Sequence, residues 1–195
     1  MKLRISTILV LCLFISTYVS AQTEETAESK HAMAFADSLV KSFKYENWEQ
    51  YLSLSYPGVV KYYGGKNGYI EYIRRARANY GDSLEETPEK LKLIQMINDI
   101  DEWQCVVEKT RETVVNGKKA HVVSYMVGQS KDDGSTWRFF DVAYNSVENV
   151  IYIMPDVFGT LSIPQRSTVI DDDLTYEQKK PVTASNKKKI PSKSR

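Results

Sequence analysis

The dipeptide Asn116-Gly117 stands between two runs of alternating apolar and polar residues, Trp103 to Val115 and Lys119 to Gly128. A type I′ turn needs positive φ at both central residues, which asparagine and glycine tolerate best, so the runs are predicted to form one tight hairpin. The turn also sets the register. With Val115 opposite Lys118, Glu112 faces His121, Val107 faces Met126 and Cys105 faces Gly128. A slip of one residue would turn every side chain to the other face.

A third alternating run, Thr136 to Ala143, follows through Ser130-Lys131-Asp132-Asp133-Gly134-Ser135-Thr136-Trp137. The spacing S-x-D-x-G-x-x-W resembles the Asp-box of sialidase-type propellers. In that motif Asp132 accepts backbone N–H bonds across the turn, Gly134 takes a positive φ and Trp137 anchors the next strand. A single copy argues for a hairpin, since a propeller needs several at a fixed period. Pairing Gly128 with Trp137 would set Met126 opposite Phe139 and Ser124 opposite Asp141. Cys105, Val107, Ser124, Met126, Phe139 and Asp141 then share one face, with Val106, Tyr125, Val127, Phe140 and Val142 on the other. Both faces are apolar, so the pattern does not choose the inner one.

Ahead of the sheet the period is helical. Phe35, Leu39 and Phe43 recur every fourth residue over Ser29 to Tyr45, and Asn47 caps a shorter helix carrying Trp48, Tyr51, Leu52 and Leu54. Pro57-Gly58 is taken to end that helix, and Val59 to Tyr63 reads as a short strand. Tyr69, Ile70, Ile73, Ala76 and Tyr80 then mark a third helix that Gly81 ends. Leu91 to Ile97 reads as a strand by alternation. Ser146 is placed to cap a last short helix through Ile153, closed by Pro155, after which Thr160 to Thr168 passes over the surface.

The two ends differ sharply in chemistry. Lys2 and Arg4, the apolar run Ile8 to Ile15 and the small-residue pattern Val19-Ser20-Ala21 follow the order of a cleavable export signal, residues 1–21. A polar N-terminus, 22–28, a domain over 29–170 and a lysine-rich disordered tail, 171–195, complete the expected organisation. Gln178 to Arg195 holds seven basic and no acidic residues, whereas Gln22 to Glu177 holds 17 basic against 25 acidic. An acidic domain argues against nucleic acid as a partner, and the tail allows weak contact with an anionic surface. With Cys12 in the signal, Cys105 has no disulfide partner, and two histidines with one cysteine offer no zinc-type set. No cofactor or metal is expected.

Three N-terminal helices, a short strand before the third, and a long antiparallel sheet make an α+β order. Together with PGVVKYYGGKNGYIEYIRRA, SKDDGSTWRFFD and MPDVFGTLSIPQ, it resembles secreted bacterial members of the nuclear transport factor two-like superfamily, also called cystatin-like. The resemblance covers about residues 29–166 and implies a cone-shaped roll: a curved antiparallel sheet wrapped on three helices around an apolar pocket. Relatives use that pocket for ketosteroid isomerisation, polyketide cyclisation, dehydration or plain binding, so fold alone does not choose. For a binding site the lining is Phe43, Trp48, Tyr51, Tyr63, Ile73 and Trp103 from one side, with Met126, Phe139 and Asp141 from the sheet. For an enzyme, Asp141 is the general base and Tyr63 stabilises an enolate. The leading expectation is an exported, non-catalytic domain, periplasmic or extracellular. It would bind an apolar small molecule or an envelope protein, or pair with a second copy through the exposed sheet face.

Overall fold

The computed structural model describes residues 26–78, 88–99, 102–144, 147–157 and 161–175. The expected signal, the helix stop at Gly81, the cap at Ser146 and the basic segment from Gln178 lie outside the described residues. The chain is α+β, with helices followed by an open antiparallel sheet of five strands.

Helix α1 (Ala27–Lys44) starts two residues earlier than its apolar stripe, because Thr26 caps it by accepting from Ser29 N–H at 3.2 Å. Ala27 and Glu28 therefore belong to a helix rather than to a loose N-terminus. Asn47 caps α2 (Trp48–Leu54) through Gln50 N–H, as its sequence indicates. The expected strand at Val59 to Tyr63 is instead a helix, α3 (Pro57–Tyr62), so among the described residues four helices precede the sheet. Proline lacks the N–H that the first helical position leaves unbonded anyway, so Pro57 starts a helix where it was read as a stop. Helix α4 (Lys66–Ala78) follows, and its buried face carries Tyr69 and Ile73.

Strands β1 (Lys90–Asp99), β2 (Glu102–Val115) and β3 (Lys118–Ser130) form a meander. Asn116 and Gly117 have φ of 52° and 78°, both positive, and the β2–β3 register is the one the turn dictates, from Val115↔Lys118 to Trp103↔Ser130. Strand β4 (Arg138–Asp141) pairs two residues away from the expected register, with Phe139 opposite Gly128 and Asp141 opposite Met126. The cause is the Ser130–Trp137 turn, which keeps Trp137 out of the ladder. An even shift preserves faces, so the two face groups stand.

Helix α5 (Val147–Ile153) and a 3₁₀ turn, Pro155–Val157, follow β4, and β5 (Ser167–Thr175) pairs with the N-terminal half of β3. No strand was expected there, and β5 runs beyond the expected domain boundary at residue 170. The Asp141 face turns toward α2 and α4, where Met126 and Phe139 join Tyr51, Tyr69 and Ile73 in one buried cluster. The opposite face meets the C-terminal segment, where Gln104 donates to the Asp156 carbonyl at 3.4 Å. Val106, Val127 and Phe140 on that face are fully buried. Among the described residues no helix is long and apolar enough to cross a membrane.

Candidate functional site

The inner face of the sheet carries a charged pair deep in the core. Lys109 on β2 and Asp141 on β4 flank the central strand β3, and Lys109 Nζ reaches across it to Asp141 Oδ2 at 2.6 Å. The side chains are 2% and 5% exposed. Ser124 stands opposite Lys109 on the intervening strand, and its small side chain leaves room for the crossing. The other oxygen of Asp141 accepts from Ala143 N–H at 2.9 Å, in the turn that ends β4. Glu89, just before β1, places a second carboxylate 3.9 Å from the same ammonium.

Burial raises the Asp141 carboxyl above its ordinary value. Lys109 pulls it back by charge and hydrogen bond, while Glu89 adds to the rise, and the loss of water outweighs the attraction. The buried Tyr69 phenol is pushed up chiefly by burial, and the Asp141 charge adds to the rise. Arg138, three residues before Asp141, donates to the Ser53 carbonyl. Helix α2 is tied to β4 by a bridge from Ser55 to Phe139 and a bond from Tyr56 N–H to the Phe139 carbonyl at 2.8 Å.

Three of the nine residues assigned to a ligand lining pack directly against one another. Phe43, Trp48 and Tyr51 meet with ring centroids 6.0 to 6.3 Å apart, and Tyr51 continues to Tyr69 at 6.0 Å. Tyr63 stacks on Tyr72 at 4.1 Å and on Tyr69 at 5.5 Å. Its phenol is pushed well up by burial and then by Tyr72, so it stays protonated, the form that donates a hydrogen bond. Phe43, Tyr51, Ile73, Met126, Phe139 and Asp141 are buried, whereas Trp48, Tyr63 and Trp103 are half-buried. Trp103 also packs against the core, but from the N-terminal end of β2, where its Nε1 donates to Asp133 Oδ1 at 3.1 Å.

That end is organised by the turn. Asp132 Oδ1 accepts from Thr136 N–H at 2.9 Å and from the Ser130 hydroxyl at 2.8 Å, and Oδ2 accepts from the Thr136 hydroxyl at 2.6 Å. These bonds, the Thr136 hydroxyl first, hold the Asp132 carboxyl below its ordinary value. Gly134 has φ of 78°, and the buried Trp137 donates to its carbonyl at 3.0 Å.

Lys109 and Tyr69 were missed as site residues. Lysine is normally solvated, so its place on the inner period gave no signal of burial. Tyr69 read only as one member of a helical stripe. On the outer face, Pro88, Lys90, Thr110, Glu112 and His121 line a hollow of about 90 Å³. Among the described residues no group of three or more His, Cys, Asp or Glu side chains is placed to hold a metal. No protein-family model, curated protein or solved structure matches the chain, so the site is read from its own chemistry.

Proposed function

We propose that the chain is an exported, non-catalytic domain of the cell envelope that works by binding another protein, on a frame similar to the nuclear transport factor two-like superfamily. The observation that carries this reading is the state of Asp141. Lys109 occupies one carboxylate oxygen and the Ala143 amide the other. A general base needs a lone pair aimed at a substrate proton, and here each oxygen already gives one lone pair to a donor of the protein while burial, at 5% exposure, keeps the carboxylate away from an approaching substrate.

The aromatic packing points the same way. Tyr51, Tyr69, Ile73 and Phe139 are buried against neighbouring side chains. The outer hollow, at about 90 Å³, falls well short of the roughly 300–1,000 Å³ typical of small-molecule sites. At the surface, Tyr45 and Tyr152 are 71% and 79% exposed, and tyrosine is a residue type that protein interfaces favour. Export to the periplasm or the medium is supported by Lys2, Arg4, the Ile8 to Ile15 run and Val19-Ser20-Ala21.

The test is native mass spectrometry of the chain purified from the compartment it is exported to. The expected species begin at Gln22 and weigh as the bare polypeptide or as its protein complexes. A small molecule that survives purification, and is lost in Tyr63→Ala, overturns the reading in favour of a ligand pocket. Turnover of a carbonyl substrate that disappears in a folded Asp141→Asn variant overturns it in favour of an isomerase- or cyclase-like enzyme.

A further inference from the structure

Strand β3 offers one edge to two strands held in very different ways. Its C-terminal half pairs with β4, whose Phe139, Phe140 and Asp141 are all buried. Its N-terminal half pairs with β5, where Ser167 to Ile170 are all exposed, Val169 at 56% and Ile170 at 39%. The β5 ladder is also short. Ala120 to Val123 pair without a break with Ile170 to Ser167, and then the register jumps, because Lys118 pairs with Thr175. Over Ser167 to Ile170, β5 is held by its backbone hydrogen bonds and by little side-chain burial, which places it among the elements of a fold that open most easily.

The edge that β5 covers is less tolerant of exposure. Ala120 and Val122 on β3 are buried, and Ile170 and Thr168 stand opposite them. An uncovered edge presents unpaired amides and carbonyls beside apolar side chains, and it captures a strand of matching alternation. The link that feeds β5 starts from the buried Leu161, and its six residues to Arg166 reach about 20 Å when extended. Pro164 narrows the conformations open to that link.

We propose that β5 is exchangeable: Ser167 to Ile170 leave the Lys118–Val123 edge of their own chain and pair with the same edge of a second copy, joining two chains reciprocally. The proposal rests on the interaction reading above and names a second copy as the partner. Exchange keeps every β3–β5 contact and changes only the Leu161–Arg166 link, so a second copy fits the vacated edge without new chemistry. A foreign strand would have to reproduce the same alternation.

The test uses the full chain with two cysteine pairs, His121→Cys with Val169→Cys and Val122→Cys with Thr168→Cys. Neighbouring positions alternate between wide and narrow pair types, so one of the two suits a disulfide. Cys105 is buried and stays out of the reaction. After incubation at increasing protein concentration and then oxidation, non-reducing denaturing electrophoresis is expected to resolve a reducible dimer whose share rises with concentration. Bonds formed only within one chain overturn the exchange. A wild-type chain that sediments as a dimer while both pairs close only internally sinks the exchange and leaves the interaction reading standing. Should both variants misfold, amide exchange on the unsubstituted chain decides. Faster exchange in β5 than in β4, slowing as concentration rises, is the expected result, and equal protection of the two strands overturns the proposal.

Discussion

Lys109 Nζ lies 2.6 Å from Asp141 Oδ2 although a whole strand separates their backbones. Two charges have been taken out of water for this contact, and in the interior neither has a cheap alternative. Removing one partner of such a pair costs about 3–5 kcal/mol, while replacing both with apolar side chains of similar volume is often neutral or stabilising. Lys109→Met and Asp141→Leu should each lower unfolding free energy in urea by that amount. The double variant should be less destabilised than either single change. A double variant as unstable as the two losses added would mean that the side chains do not act as a pair.

Gly128 sits where three strands converge on Cys105 and Phe139. A Cβ at this position would stand 2.5 Å from Phe139 Cε1 and 2.7 Å from Cys105 Sγ. Gly128→Ala is expected to cost about 1–3 kcal/mol, the range for overpacking a tight core. Burial also pushes the Cys105 thiol up to about 12, so no thiolate forms near neutral pH and thiol reagents should label it only on unfolding. Trimming the neighbour in Gly128→Ala/Phe139→Leu should restore part of the loss. Rapid labelling of the folded wild type at pH 8 would contradict the burial.

How far the sequence could be read depended on whether local chemistry or distant packing decided each element. Asn116-Gly117 dictates its own φ values, so thirteen cross-strand pairs from Val115↔Lys118 to Trp103↔Ser130 followed from two residues. The next register came out two residues off because Trp137 folds back onto Gly134 rather than entering β4, and nothing local announces that. Pro57 carries opposite meanings at a helix end and a helix start, and the neighbours that choose between them are distant: a Cβ on Gly58 would stand 2.7 Å from the Ile153 carbonyl. Asp141 was legible as a buried carboxylate on the shared face with Met126. Its partner was not, since only the assembled sheet brings Lys109 over Ser124. Strand β5 left no apolar alternation to read, because Ser167 to Ile170 are exposed.

Two glycines with the same backbone demand separate conformation from crowding. Gly117 and Gly134 both have φ of 78°, but a Cβ on Gly117 meets nothing within 4 Å, while one on Gly134 stands 2.7 Å from Glu28 Cγ. Gly117→Ala should therefore cost only the left-handed penalty of about 1–2 kcal/mol. Gly134→Ala should cost more, and the excess should vanish in a Glu28→Ala background, measured as coupling in a double-mutant cycle. Equal losses at the two glycines would show that α1 does not press on the turn.

Asp132 and Asp141 lie nine residues apart and should respond to pH with opposite signs. The Asp132 carboxyl is held below its ordinary value of 3.8 by the Thr136 hydroxyl and amide and by Ser130. The folded chain therefore binds that proton less tightly than the unfolded chain. The stabilisation it gives is complete above the unfolded value and is lost as pH falls through the folded one. Asp141 is raised above 3.8, chiefly by burial. Its contribution is complete below the unfolded value and declines as pH rises through the folded one. Urea titrations of wild type, Asp132→Asn and Asp141→Asn from neutral to acid pH read the two slopes. The gap between wild type and Asp132→Asn should close on acidification, whereas wild type should gain on Asp141→Asn over the same descent. Parallel curves for the two variants would mean that the buried carboxyl titrates like the exposed one, and that Lys109 cancels the whole cost of its burial.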